Sequence, residues 1–338
     1  MLITYSYRGT ISLASLSLDA SSNMKDNLDF NLFRFALASE EEFGDGSCIN
    51  ASAYADTTAR KAFEVATDQE LAAEAAVVLH VMMEIANYLH AAVKLCEAGD
   101  NAVEAVDKAV AIWVGVGQTE GSDDNGYLVY SIAEQAASRL GIAEDDESWV
   151  NTALFDAFNE AKNIALECPA KWDKFIDLRG LVADIIHALA SPLVHNLIYY
   201  ISQADSSSPD YTTLENYVEL YALSVVPRLI GCSPASFFYL QTKLIDEDFD
   251  TTKIDDDFVS HMQRLQKCYD VECIDFKHDQ ISDASLKAMV QKLCYNETTD
   301  PRSIAGYSPA NDVSEVSLFS RPLIMTNMMY SFVLYPFA

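Results

Sequence analysis

The chain has 338 residues, with 22 Lys and Arg against 51 Asp and Glu, a formal net charge of -29, 50% hydrophobic residues and 11% aromatic. A chain of that length can bury a sizeable core, and its 17 Tyr and 16 Phe exclude an acidic disordered polymer. With no Lys/Arg cluster to break the negative charge, nucleic acid and anionic membrane surfaces are excluded as partners, and cations are the natural counterparts.

Residues 1–52 carry no helical periodicity, and the opening MLITYSYRGTISLASLSLDASS lacks the charged start and unbroken apolar run of a secretory signal. From about residue 55 to 295 the apolar spacing is helical. It predicts helices near 53–66, 69–97, 102–114, 127–140, 147–167, 176–203, 212–230, 234–245, 257–270 and 283–294. Start signals support three of them: Asp68, the stretch Asp145 to Ser148 before Trp149, and Ser233-Pro234, which puts proline at a first helical position. The apolar run Leu71 to Cys96 is interrupted by Glu74, His80, Glu84, His90 and Lys94, so it reads as an amphipathic or interior helix and no transmembrane span is expected. The apolar run Leu323 to Ala338 is short for an anchor and reads as a strand or packed tail.

The fold class is therefore mostly α, a multi-helix bundle with irregular or short-strand terminal segments. Self-comparison at an offset of roughly 107 to 111 residues aligns the helices of 53–172 with those of 173–298, setting His80 opposite His187, Glu104 opposite Glu215 and Trp149 opposite Phe258. The expectation is two similar helical repeats in one compact domain, with an N-terminal segment 1–52 and a packed tail 299–338. A ligand would then sit between facing helices.

Seven cysteines (Cys48, Cys96, Cys168, Cys232, Cys268, Cys273, Cys294) fit either three disulfides plus a free thiol or a reduced protein. The triplets Asn50-Ala-Ser52 and Asn296-Glu-Thr298, usable only in a secreted chain, favour the outside. His261, Cys268, Cys273 and His278 have poor zinc spacing, and a disulfide within 268–273, or from either cysteine to Cys232 or Cys294, is the better reading. The loop Gly115 to Gly126 holds four glycines and several acidic residues, yet matches neither a dinucleotide fingerprint nor a calcium loop. It reads as a connector, with a site lid or loose cation loop as the other reading. No catalytic motif is present, so no enzymatic activity is expected.

A hard cation needs carboxylate and phenolate oxygens converging from different helices. Side chains sharing a helix face include His80 with Glu84, Glu104 with Asp107, Tyr130 with Glu134, and His195 with Tyr199.

Several runs, in consistent order across residues 70–313, carry a family resemblance: KLCEAGDNA and AVDKAVAIWVG, NGYLVYSIAEQ, SPLVHNLIYYISQAD, ALSVVPRLIGCSPASFFYL, LQKCYDVEC and SIAGYSPANDV. They resemble the algal iron-assimilating, low-iron-inducible periplasmic proteins whose domains also build the phytotransferrins. The resemblance implies an extracellular, periplasmic or cell-surface helical protein that binds Fe3+ for uptake, with carbonate as a companion anion. It singles out Asp107, Tyr130 and Tyr200 as metal-ligating candidates, joined by Glu104, His195 and Glu84. This chain departs from the family pattern at Lys108 and Trp113, in lacking a cysteine in EQAASRLGIAEDD, and at Tyr199 and His195, where relatives often carry Arg and Gln. Those departures motivate the alternative, a metal-free helical structural or interaction protein that kept the fold and lost the iron site.

Overall fold

The computed structural model describes residues 69–295 except 120, 122–125, 127, 145–146, 172 and 272–280. The expected helix 53–66, both terminal segments, the Asp68 start signal, Cys48, Cys273, His278 and the two glycosylation triplets lie outside the described residues.

Helix α1 (Gln69–Ala75) widens into a π-helical segment, Ala76–Val81, and resumes as α2 (Met82–Glu97). Then follow α3 (Val103–Val114), α4 (Val129–Leu140), a two-residue hairpin β1 (Ala143–Glu144) and β2 (Glu147–Ser148), and α5 (Trp149–Glu167). The second part holds α6 (Lys174–Gln203), α7 (Tyr211–Val225), a 3-10 turn Val226–Arg228, α8 (Leu229–Cys232) and α9 (Pro234–Gln241). It continues through a π segment Thr242–Asp246 and a 3-10 turn Thr251–Lys253 to α10 (Asp256–Cys268) and α11 (Ala284–Tyr295). The molecule is a multi-helix bundle, as expected.

Local chemistry explains the boundaries. Helix α4 stops at Gly141, whose left-handed φ of 65° lets Ile142 N donate back to Ala137 O at 2.9 Å while the Ile142 side chain is buried. Helix α10 starts at Asp255, whose carboxylate accepts from Phe258 N at 2.8 Å, with Asp256 and Asp257 adding favourable charge in the first turn. Pro234 occupies the first position of α9, where its missing N–H costs nothing. Pro227, by contrast, ends regular α-helix at Val225 and explains why the run expected to 230 breaks into a 3-10 turn and the short α8.

Helix α6 is the axis of the bundle, packing against α2, α4, α5, α7 and α11. Every residue from Ala188 to Ile198 is buried, so this stretch is surrounded on all sides rather than on one stripe. Glu70–Glu97 and Lys174–Gln203 are long and apolar enough to cross a membrane by length and composition alone. In this fold 83% and 72% of their most apolar windows are buried inside the protein.

Two disulfides staple the bundle: Cys96–Cys168 joins the end of α2 to the end of α5, and Cys232–Cys268 joins α8 to α10. Their sequence separations of 72 and 36 residues correspond to about 4 kcal/mol each on a loop-closure model. Cys294 is disulfide-bonded as well. Bonding of Cys268 to Cys232 was one of the expected alternatives, and it removes that sulfur from any zinc set.

On α6, burial raises the Asp184 carboxyl to about 6, with the nearby negative charges of Asp270 and Glu160 adding to the effect. A carboxyl whose pKa is raised by folding contributes stability that is present below its unfolded pKa and is lost as pH rises through about 6. D184N is therefore expected to raise the thermal unfolding midpoint at neutral pH and to leave it unchanged near pH 4; calorimetry at the two pH values checks this, and an equal effect at both contradicts it.

Candidate functional site

Two polar clusters interrupt the apolar interior. The first gathers at the end of α6. Tyr199 and Tyr200 stand on its last turns, and Tyr217 and Tyr221 share one face of α7 at i, i+4. Arg139 comes from the last turn of α4 and Glu74 from α1. The connection from α6 to α7 is pinned from below: the Asp250 carboxylate accepts from Ser206 N at 2.9 Å and Thr252 N at 2.7 Å, and Thr251 N donates to Ala204 O at 3.1 Å. Those bonds hold the Asp250 carboxyl well below the usual range.

The aromatic rings form one contiguous stack. Tyr200 lies parallel to Tyr217 with centroids 4.5 Å apart and near-parallel to Tyr221 at 5.5 Å, while Tyr199 meets Tyr200 edge-on at 5.1 Å. The Arg139 guanidinium sits 5.2 Å and 5.3 Å from the Tyr199 and Tyr200 ring centroids and donates through Nη1 to Asn196 Oδ1 at 2.8 Å. Tyr221, fully buried, donates its hydroxyl to Glu74 Oε1 at 2.8 Å. Asn196 is 1% exposed, and its Nδ2 has no hydrogen-bond partner among the described residues.

Electrostatics follow from this packing. Burial pushes the Tyr200 and Tyr221 phenols well above their ordinary values, and the Glu74 charge adds to the shift. Both are therefore neutral at physiological pH. Burial opposes the charge on Arg139, but the nearby Glu74 carboxylate favours it and its pKa is raised on balance, so the guanidinium stays cationic. The cluster thus combines four phenols, one carboxylate, one fixed cation and an amide N–H awaiting an acceptor.

The second cluster lies between α4, β2 and the start of α5. Glu134 Oε1 accepts from Asn151 Nδ2 at 2.6 Å and its Oε2 from Ser148 N at 2.9 Å, and Asn151 Nδ2 also donates to Tyr130 O at 2.9 Å. Tyr130 donates its hydroxyl to Glu147 Oε1 at 2.9 Å and accepts from Gly121 N at 3.3 Å. The hairpin register Glu144↔Glu147 sets Glu147 in place, and Ser148, whose amide donates to Glu134, opens α5 without a side-chain cap. Gly115 (φ +80°) and Gly126 (φ +92°) are needed in the adjoining loop: a Cβ would stand 2.8 Å from Leu128 Cδ1 and 2.1 Å from Gln118 Oε1.

The structure separates the residues expected to ligate metal. Tyr200 lies in the first cluster and Tyr130 in the second. His195 is on α6 beside Asn196, buried, its imidazole lowered to about 4 by burial and so neutral. Glu84, buried on α2, accepts from Asn87 Nδ2 at 3.1 Å. Glu104 is exposed and paired with Lys108 at 2.8 Å, and Asp107 is paired with Lys162 at 2.6 Å. Lys108, one of the departures from the family pattern, thus sits on the surface near the Tyr88 ring. Trp113, another, is a core residue stacked on Phe158 at 5.0 Å. His261, whose spacing to the cysteines is poor for zinc, stacks on Tyr239 at 4.2 Å and shares a hydrogen bond with Ser236 Oγ at 3.0 Å.

Glu74, Arg139, Tyr217 and Tyr221 were not among the expected site residues. The i, i+4 spacing of Tyr217 and Tyr221 was a readable signal, and Arg139 is the one basic residue of α4. No protein-family model, characterised protein or solved structure matches this chain.

Replacing Arg139 with Met removes a charge-assisted hydrogen bond and two ring contacts while keeping most of the volume. R139M is expected to lower the unfolding free energy by about 2–4 kcal/mol in urea titration. Wild-type stability would show that the guanidinium is not tied into the cluster.

Proposed function

We propose that the protein binds ferric iron, in company with a small oxyanion such as carbonate, and takes part in iron uptake at the cell surface or in a periplasm. One observation carries the reading: Tyr199, Tyr200, Tyr217 and Tyr221 converge with Glu74 and Arg139 in the bundle interior. Ferric iron is a hard cation suited to phenolate and carboxylate oxygens. The Tyr200 and Tyr221 hydroxyls with the Glu74 carboxylate form the proposed donor set. Arg139 and the Asn196 amide supply positive charge and an N–H for the anion.

This bears on the position where relatives often carry Arg and this chain has Tyr199. In this chain the Arg139 guanidinium, from α4, lies over the Tyr199 ring and supplies a positive charge there. The disulfides fit an oxidising location, and the acidic surface fits cation delivery. A second reading, a metal-free helical interaction protein, is favoured by a specific observation: among the described residues no three His, Cys, Asp or Glu side chains are grouped to hold a metal ion.

The two readings part in a competition titration against a ferric chelator with bicarbonate present. Y200F and Y221F are each expected to weaken iron binding at least tenfold, whereas D107N, at a lysine-paired carboxylate, changes it less than threefold. Iron affinity unaltered in both tyrosine variants, or absent from the wild type, contradicts the ferric assignment. Because the buried phenols are protonated in the free protein, binding must displace their protons. Affinity is therefore expected to fall about tenfold per pH unit for each phenolate formed as pH is lowered from 8 to 6, and a pH-independent constant would exclude phenolate ligation.

A further inference from the structure

The second cluster presents an electrostatic imbalance that the iron reading leaves unused. Glu147 accepts from the Tyr130 hydroxyl and Glu134 from Asn151 Nδ2, which also donates to the Tyr130 backbone carbonyl, and among the described residues neither carboxylate forms an ion pair with Lys, Arg or His. Glu134 is almost fully buried, and burial, with the Glu147 charge adding to it, raises its pKa. Without a counter-charge the two carboxylates repel each other, a repulsion that protonation or a bound cation relieves.

Asn151 gives the independent sign. Its residue is 0% exposed, and its Nδ2 is committed to Tyr130 O and Glu134 Oε1, which fixes the orientation of the amide. Its Oδ1, in the same planar group, is then a fully buried acceptor with no partner among the described residues. A buried carbonyl oxygen without a donor costs about 1–3 kcal/mol unless something fills the place. In the field of two carboxylates a cation is favoured over a neutral donor. Every oxygen available is hard: carboxylates, an amide carbonyl and a phenol, with no imidazole or thiolate among them.

We propose that Glu134, Glu147 and Asn151, with the Tyr130 hydroxyl beside them, form a calcium-class cation site separate from the tyrosine cluster. The ion takes oxygen from α4 (Glu134), β2 (Glu147) and α5 (Asn151), so its binding clamps the hairpin onto two helices. Tyr130, hydrogen-bonded to Glu147 and to the Gly121 amide, extends that clamp to the glycine-rich loop. With only two carboxylates the site belongs to the weak, extracellular class, with a dissociation constant of order 10⁻⁴–10⁻³ M.

The test uses the full chain stripped with a calcium chelator and titrated with CaCl₂ by calorimetry, alongside E134Q, E147Q and Y221F. The expected result is one saturable Ca2+ per chain, weakened at least tenfold in E134Q and E147Q and unchanged in Y221F. Millimolar CaCl₂ is also expected to raise the wild-type unfolding midpoint and to leave that of E147Q unmoved. E147Q, at a half-buried hairpin position, guards against misfolding of the buried E134Q variant. No saturable uptake, or equal uptake in both Glu variants and wild type, overturns the proposal. So does ferric uptake lost in E134Q and E147Q but kept in Y200F and Y221F, which would make this cluster the iron site.

Discussion

Burying the whole circumference of one long helix is the constraint from which the rest of the bundle follows. Between Ala188 and Ile198 no residue of α6 meets solvent, so five other helices must surround it. Complete burial leaves no solvated face for polar side chains, and every one carried by this stretch must be satisfied inside the protein or cost stability. Asn196 receives Arg139 from α4, and Tyr200, just beyond, receives the stacked rings of α7. The polar cluster is thus a consequence of where α6 runs, and its chemistry is set by what the neighbouring helices bring to it.

The two clusters differ in charge, and that difference separates the roles proposed for them. Around Tyr200 a cation is already present in Arg139, with the Glu74 carboxylate nearby and its guanidinium over the Tyr199 and Tyr200 rings. A metal entering there must compete for Glu74 and displace phenolic protons, which suits a trivalent ion accompanied by an anion on the guanidinium. Around Tyr130 no Lys or Arg side chain forms an ion pair with Glu134 or Glu147 among the described residues, and the phenol is a neutral donor to Glu147. The surface carboxylates Glu104 and Asp107 belong to neither arrangement, since lysines neutralise both.

Much of the fold was legible because helical periodicity is a local property. The spans expected at 69–97, 102–114, 127–140 and 257–270 match the observed helices to within two residues at each end. The widening into π-helix at Ala76–Val81 was not legible; that segment packs three valines and His80 into the core, and tertiary packing rather than sequence spacing decides where a helix widens. Of the candidate site, Tyr130 with Glu134 and the position of Tyr200 were readable from spacing and resemblance. Glu74 and Tyr221 meet across 147 residues and Arg139 and Asn196 across 57, and no pattern within a single helix announces such pairs. For the same reason Glu104 and Asp107 looked like ligands: the spacing put them on one helix face, while the Lys162 that occupies Asp107 comes from α5.

The central claim is that the tyrosines around Arg139 are a ferric site. The most direct measurement is a visible-absorption titration of the purified protein with chelated ferric iron, with and without bicarbonate. The account predicts a tyrosinate-to-iron charge-transfer band that saturates at one equivalent and requires the anion. Uptake with no such band, non-stoichiometric and abolished by salt, would contradict it and leave only diffuse attraction to the acidic surface.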